Sequence, residues 1–440
     1  MDIFGRLHKS KASSAVYRTA ASDPANSAWG RAFVSLSIPD FRTLLFTTTL
    51  TIAALQMGFV AQPWLAFEIS DSAFTIGLVA LARGLPQVAL TLFAGVVADR
   101  FDKRMVLLVT QILSAASALV NAILVQIGVI EVWHLIVVGM FQGAALAFNV
   151  PTRQAYIPEL AGHKHLSNAL AMDSTGRNLA RLVGPAVVGV LLGWDPTIAF
   201  YAIAAIYIIT TIPIIKLPTK GKSTSESKGA IADIKVGIEY IRNHSVLRTL
   251  IVLCFILVLL GMPFQSFLPV FQSDVLEVSE SRLGLMFAVM GIGSMVSSLG
   301  IAYFSEYSRK GLIQIISGVA FGVFLALFAA SSNYVLSLGI LFLLGMASQG
   351  FLTTNSMLLM TNAEKNLYGR VMSVNMLTWS MVPLTALPIG ALVDGIGAQT
   401  TFFVVGVSLA FLIAAMAARY PNHWRRESPP AHELHASKAL

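Results

Sequence analysis

The sequence predicts an all-α membrane protein of about twelve transmembrane helices arranged as two pseudo-symmetric six-helix bundles. Composition, the number and length of apolar runs, and a weak internal repeat carry that reading. Of 440 residues, 56% are hydrophobic and 12% charged, with a mean hydropathy of +0.73. A water-soluble fold cannot bury that much apolar surface. About twelve runs are each roughly 20 residues long, enough to cross roughly 30 Å of hydrocarbon. They begin near Leu44, Phe74, Met105, Val132, Ala169, Pro196, Val246, Leu283, Leu312, Tyr334, Val371 and Thr401. They are too long and too evenly apolar for barrel strands, and hydrocarbon tolerates no unpaired backbone group, so they must be helices.

In chain order, residues 1–40 form a polar tail carrying Arg6, Lys9, Lys11 and Arg18. No short apolar core precedes a small-residue cleavage site there, so no removable signal peptide is expected and the first run is the expected targeting signal. Residues 41–215 hold six runs. The polar stretch KLPTKGKSTSESKG from Lys216 to Gly229 then opens a linker, residues 216–245, which is the natural domain boundary. Within it, Ile231, Ile234, Ile238 and Ile241 recur at helical spacing between Ala230 and His244, which predicts an amphipathic helix on the inner membrane surface. Residues 246–419 hold six more runs, and 420–440 form a second tail.

Comparing the halves at a shift of roughly 201 to 207 residues gives consistent echoes. Phe41-Arg42-Thr43-Leu44 recurs as Leu247-Arg248-Thr249-Leu250, Pro63 meets Pro269, Gly77 and Gly84 meet Gly284 and Gly291, and Gly189 meets Gly390.

The excess of 30 Lys and Arg over 22 Asp and Glu falls on one side of the membrane. One set of connections carries Arg100, Lys103, Arg104, Lys164, Lys216, Lys220, Lys222, Lys228, Lys235, Arg242, Arg309, Lys310, Lys365 and Arg370. The opposite set carries mainly Asp71, Glu131, Asp195, Asp274, Glu277 and Glu280, with Arg282 as the clear basic exception. The positive-inside rule makes the first set, and both tails, cytoplasmic.

Six runs, a long linker and six more, with Gly95, Asp99, Arg100 and Arg104 spaced as Gly-x-x-x-Asp-Arg-x-x-x-Arg after the second run, resemble the major facilitator superfamily. Lys103 adds to that basic cluster, and AYFSEYSRKG from Ala302 to Gly311 is its degenerate echo. FRTLLF, PWLAFEISDSAFTIGLV, ADRFDKR, NVPTRQAYIPEL, LARLVGPAVVG and GRVMSVNML resemble the branch of enterobactin exporters and macrolide efflux proteins. The resemblance covers about residues 38 to 418. It implies a gating role for the loop: Gly95 permits close helix approach, and Asp99 can pair with a cation or helix amino terminus. The same charges also suit a purely topogenic role. Gly184, Pro185 and Gly189 resemble the antiporter signature of the fifth helix, where small residues permit close packing and proline weakens the helix.

Several residues are candidate charge or proton sites. Arg83 lies roughly 14 Å into the second helix at 1.5 Å per residue, where a charge is costly unless paired or watered and is functional by default. Glu68 is its possible partner. Asp173, Arg177 and Arg181 recur every four residues as one stripe on the fifth helix, suited to locking the halves or to anchoring the helix. Gln56, Gln142, Asn149, Asn355, Asn375 and Trp379 are candidate cavity-lining residues, although for any one of them a helix-to-helix hydrogen bond is the commoner role. The first helix has no central acid, only Gln56 and Met57. The fourth has Gly139 where many proton-coupled exporters place a basic residue ahead of Gln142-Gly143. Proton coupling is therefore implied by the resemblance alone.

GKST at Gly221 to Thr224 lacks the leading glycine of a phosphate-binding loop and has no strand before it, so it is linker. The eight histidines show no metal-ligand spacing. The single Cys254 excludes an internal disulfide, and no soluble segment interleaves aromatic and basic residues as a nucleic-acid site would. No cofactor, metal or catalytic residue is expected. The expected function is proton-coupled export of a small amphipathic cargo, a drug, macrolide-like compound or siderophore, by a monomer in the bacterial inner membrane with both termini cytoplasmic. A metabolite uniporter or importer, or a non-transporting scaffold or sensor, is the alternative.

Overall fold

The structure, a computed structural model, describes residues 33–219, 230–303, 309–364 and 367–420. Among them every regular element is helical. The first bundle comprises α1 (Pro39–Ser70), α2 (Ala73–Arg100), α3 (Lys103–Gln126), α4 (Val132–Trp194) and α5 (Pro196–Ile214). A linker helix, α6 (Ala230–Asn243), precedes the second bundle. That bundle comprises α7 (Ser245–Ile256), α8 (Glu280–Tyr303), α9 (Lys310–Ala330), α10 (Tyr334–Asn362), α11 (Tyr368–Ser380), α12 (Val382–Ile396) and α13 (Ala398–Arg419).

Local chemistry sets the boundaries. Pro39 opens α1 at a position whose N–H has no helical partner anyway. Asp102 accepts from the Arg104 amide at 2.9 Å, Asp195 from Thr197 at 2.7 Å and Asn333 from Leu336 at 3.0 Å, capping α3, α5 and α10.

The fourth and fifth runs are two helices that meet without an intervening loop at Gly162, whose φ of 67° and ψ of 164° break the helical path, and they are the two limbs of α4. Two expected features turn out differently. The seventh run leaves regular helix after Ile256 and passes through π and 3-10 turns to Val275, because Pro263 and Pro269 supply no N–H to the ladder. The eleventh run is split at Met381, just ahead of Pro383, into α11 and α12.

Among the described residues eleven helical segments are long and apolar enough to cross a membrane. The second limb of α4, which carries Asp173, Arg177 and Arg181, is more polar and is not one of them. Linker helix α6 packs on α11: the Glu364 amide donates to the Tyr240 hydroxyl at 3.3 Å. A Cβ on Gly237 would stand 2.9 Å from the Arg370 carbonyl oxygen. Burial raises the Tyr240 phenol above its ordinary pKa. In the second bundle, Phe264 and Phe271 from the irregular segment meet Phe321 and Phe328 of α9 and Phe402 of α13 in a fully buried aromatic cluster.

Candidate functional site

The two bundles meet along two seams, α2 against α12 and α8 against the second limb of α4. Both are close-packed toward the end that carries Asp71, Asp195 and Gly397. A Cβ on Gly189 would lie 2.1 Å from the Gly284 Cα, and one on Gly77 would lie 2.6 Å from the Ala386 carbonyl oxygen. The backbones touch there because no side chain intervenes. Gly84 against Pro383 and Gly291 against Leu182 repeat the arrangement on the two seams. The glycines echoed between the sequence halves are thus the contact points between the bundles. At one seam only, Asp394 of α12 caps α2 of the other bundle. Its carboxylate accepts from the Ser72 hydroxyl at 2.6 Å, the Ala73 amide at 2.7 Å and the Phe74 amide at 3.1 Å. An anion there also meets the positive end of the α2 dipole.

Inside the first bundle a chain of polar side chains crosses otherwise apolar helices. The Arg153 guanidinium on α4 is 2% exposed. It donates to Asn149 (2.8 Å), Thr48 (2.8 Å), Thr51 (3.2 Å), Thr47 (3.3 Å) and Gln111 (3.5 Å). Gln111 of α3 donates in turn to Thr51 and to Thr210 of α5, and Asn149 donates to Thr110 at 2.9 Å. Every acceptor is neutral, so this network satisfies the donors of Arg153 without cancelling its charge. A second group surrounds Arg83 of α2, 7% exposed. It donates to Gln62 at 3.5 Å, and Gln62 donates to Gln142 at 2.8 Å. The guanidinium stacks 4.0 Å from the Phe59 ring centroid, while its buried Nε has no hydrogen-bond partner. A small cavity joins the groups: Thr48, Thr51, Gln142, Asn149, Arg153, Arg177 and Tyr207 all line it.

The second bundle keeps a reduced copy. Gln314 of α9 donates to Asn355 of α10 at 2.8 Å, as their counterparts Gln111 and Asn149 serve the first-bundle network. Leu359, fully buried, occupies the place that corresponds to Arg153.

The profile of the family described as Major Facilitator Superfamily matches residues 44–387. The chain belongs to the major facilitator superfamily. It is 27% identical over 357 residues to the staphyloferrin A transporter of Staphylococcus aureus, covering 80% of this chain and 89% of that protein. It is 27% identical over 381 residues to the multidrug efflux pump Tap of Mycolicibacterium fortuitum, covering 84% and 93%. The crystal structure of the nucleoside transporter NupG superposes with a TM-score of 0.70 at 17% identity, covering 86% of this chain and 99% of that one. The chain is thus a multi-pass membrane transporter of this superfamily, with efflux-type relatives and the two-bundle fold.

Of the signature residues, Gly95, Asp99 and Arg100 fall in the last turns of α2 and Lys103 and Arg104 in the first turn of α3. The surroundings of Gly95, Asp99 and Arg100, and residues 304–308 of the second-half echo, lie outside what the structure describes. Lys103 is 5% exposed and bonds Glu159 at 2.7 Å, tying the start of α3 to the first limb of α4. The Arg104 amide is held by the Asp102 cap. Gly184 and Pro185 are buried, and a Cβ on Gly184 would stand 2.8 Å from the Ala53 carbonyl oxygen and 3.0 Å from the Gln56 Cβ. Gly189 lies on the seam.

Asp173 and Arg177 form a 2.7 Å ion pair, and Arg181 follows one turn later, exposed. Glu68 is exposed, and Arg83 meets Gln62 and Phe59 instead of it. Asn375 is buried with its Oδ1 unpartnered, while Trp379 is 42% exposed.

Sequence reasoning passed over Arg153, because it fell inside a motif quoted for its resemblance, although a charge within an apolar run was signal enough. Gln111 and Tyr207 offered no comparable signal. The missing basic residue of the fourth helix has a structural counterpart: a Cβ on Gly139 would lie 3.7 Å from the Arg83 Cβ. A Cβ on Gly143 would fall 1.9 Å from the Arg83 carbonyl oxygen. These two glycines let α2 carry its own arginine against α4.

Proposed function

We propose that this transporter exports a small amphipathic molecule, a drug, macrolide-like compound or siderophore, by proton-coupled alternating access. The observation that supports it best is the asymmetry of the two bundles. The first carries buried arginines and a polar cavity at mid-helix, whereas the matching positions of the second are apolar or amide. One bundle then offers the charge-handling site and the other a mostly apolar wall, which suits a cargo with both characters. Efflux-type relatives support the outward direction. In this reading the bundles 41–215 and 246–419 rock about the linker 216–245, the seam glycines close one side, and Gly95, Asp99, Arg100, Lys103 and Arg104 latch the other. The protein works as a monomer in the inner membrane with both tails, 1–40 and 420–440, in the cytoplasm. Glu68 and Asp173 are the acids nearest to a coupling role.

The test is accumulation of a fluorescent dye in cells lacking their main efflux pumps. The protein should lower accumulation, collapse of the proton gradient should restore it, and Asp99→Asn should abolish the effect while the protein still reaches the membrane. Unchanged accumulation for amphipathic cations, neutral dyes and anions alike would refute export of such molecules.

A further inference from the structure

The membrane interior of this chain has an uneven charge inventory. Among the described residues, the charged side chains lying well inside the apolar spans are Arg83 and Arg153, and the more polar second limb of α4 adds Asp173, Arg177 and Arg181, all in the first bundle. In the second bundle, the charged residues of the spans lie near their ends: Arg248, Asp274, Glu280, Arg282, Lys310, Arg370, Asp394 and Arg419. Four arginines are thus set against one aspartate, with Arg83, Arg153 and Arg177 within the packed bundle and Arg181 exposed. Asp173 is committed to Arg177 through the Nε at 2.7 Å. Arg153 bonds neutral oxygens only, Arg83 has a neutral amide and an aromatic ring, and Arg181 makes no ion pair. An arginine stranded in an apolar bundle without a counter-charge is costly, and the cost falls once an anion arrives.

Geometry gives the anion a place. Arg153 and Arg177, from the two limbs of α4, line one cavity with Gln142, Asn149 and Tyr207. The Nε of Arg177 is held by Asp173, while its terminal nitrogens have no hydrogen-bond partner. Arg181 stands one turn along the same stripe, and Gly184, a further turn on, packs on α1. A planar guanidinium held at Nε, with its two terminal N–H groups free, is set to take a carboxylate side on. Arg153, its own donors already occupied, supplies field rather than contact.

We propose that the cargo is an anion bearing at least one carboxylate, received by the terminal nitrogens of Arg177 in the field of Arg153, with Arg181 one turn along adding to that field. This rests on the transport reading above and narrows its cargo class from amphipathic molecules in general to acidic ones. Cationic amphiphiles are disfavoured at this site by like-charge repulsion.

The full-length protein in detergent is titrated with carboxyfluorescein, an amphipathic carboxylate, and separately with ethidium, both followed by fluorescence polarisation. The same dyes are followed across proteoliposomes. Carboxyfluorescein should bind more tightly than ethidium. Arg177→Gln should weaken it about tenfold or more, Arg181→Gln should weaken it less, and Arg177→Lys should restore only part of the loss. Gel-filtration profiles matching the parent establish that the variants are folded. Preference for ethidium, or carboxyfluorescein binding unaffected by both variants, overturns the proposal and leaves the transport reading standing. Arginine-dependent binding of carboxyfluorescein with no movement of either dye across the bilayer supports the anion site and counts against the transport reading instead.

Discussion

Arg83 shows how single contacts set the behaviour of a charge in an apolar bundle. Its guanidinium has one hydrogen-bonding oxygen, that of Gln62, and Gln62 is itself aligned by Gln142. Gln62→Leu removes that acceptor and leaves the arginine to its ring contact alone. Flux per molecule of protein in the membrane should fall about tenfold, the equivalent of roughly 1.4 kcal/mol. It is measured as initial dye transport normalised to immunodetected protein, and unchanged flux would show that the amide chain only packs. Gly143 is the second sensitive residue. A leucine there must displace the Arg83 carbonyl, because even a Cβ would come within 1.9 Å of it. Overpacking of this kind costs about 1–3 kcal/mol, so Gly143→Leu should lower the thermal midpoint of the detergent-solubilised protein, whereas Gly58→Ala, which has open space around it, should not. Arg83 was legible as a residue of interest from its depth alone. Its partners were not, because Gln62 and Gln142 lie on other helices and nothing in their spacing links them.

At the scale of elements, the seams decide which face of the molecule is shut. Asp394 caps a helix of the opposite bundle, so its contribution exists only while the bundles touch at that end. Loss of a helix cap costs about 0.5–2 kcal/mol, which at 1.4 kcal/mol per factor of ten is a shift of about twofold to thirtyfold in the balance of the two forms. Asp394→Ala should raise, by about that factor, the labelling rate of an Ala386→Cys reporter by a membrane-impermeant maleimide. Ala386 is 1% exposed against Gly77, and the native Cys254 is buried, so the background is low. Gly189→Leu acts on the other seam, wedging α4 from α8 where their backbones touch. It should abolish flux while leaving the reporter readily labelled, and normal flux would mean that this seam need not close. Pattern alone was enough for the existence and order of nearly every helix. It placed the break between the two limbs of α4 in the polar stretch around Lys164, His163 and His165, beside Gly162 where the helix is interrupted. It missed the irregular turns after Ile256, which depend on how two prolines are accommodated by neighbouring helices.

For the whole molecule, the reading of proton-driven export predicts a dependence on the gradient that no single contact supplies. Dye accumulation in expressing cells should rise to the level of cells without the protein when the gradient is collapsed, and a protein driven by other means would keep its effect. The sequence by itself determined the solvent, the helical class, the duplicated plan and the superfamily. Each of these rests on quantities that survive projection onto one dimension: mean hydropathy, run length, charge asymmetry and short motifs. Tertiary structure alone decided which residues form a site. Arg153 and Arg177 line one cavity because the two limbs of α4 part at Gly162, and Arg83 reaches that group through Gln62 and Gln142 only because α1 and α2 pack on α4. It likewise decided that the repeated glycines face each other across the bundles rather than packing within them. Whether a charge is compensated depends on distances between helices. Those distances follow from the packing of whole faces, which no local spacing encodes.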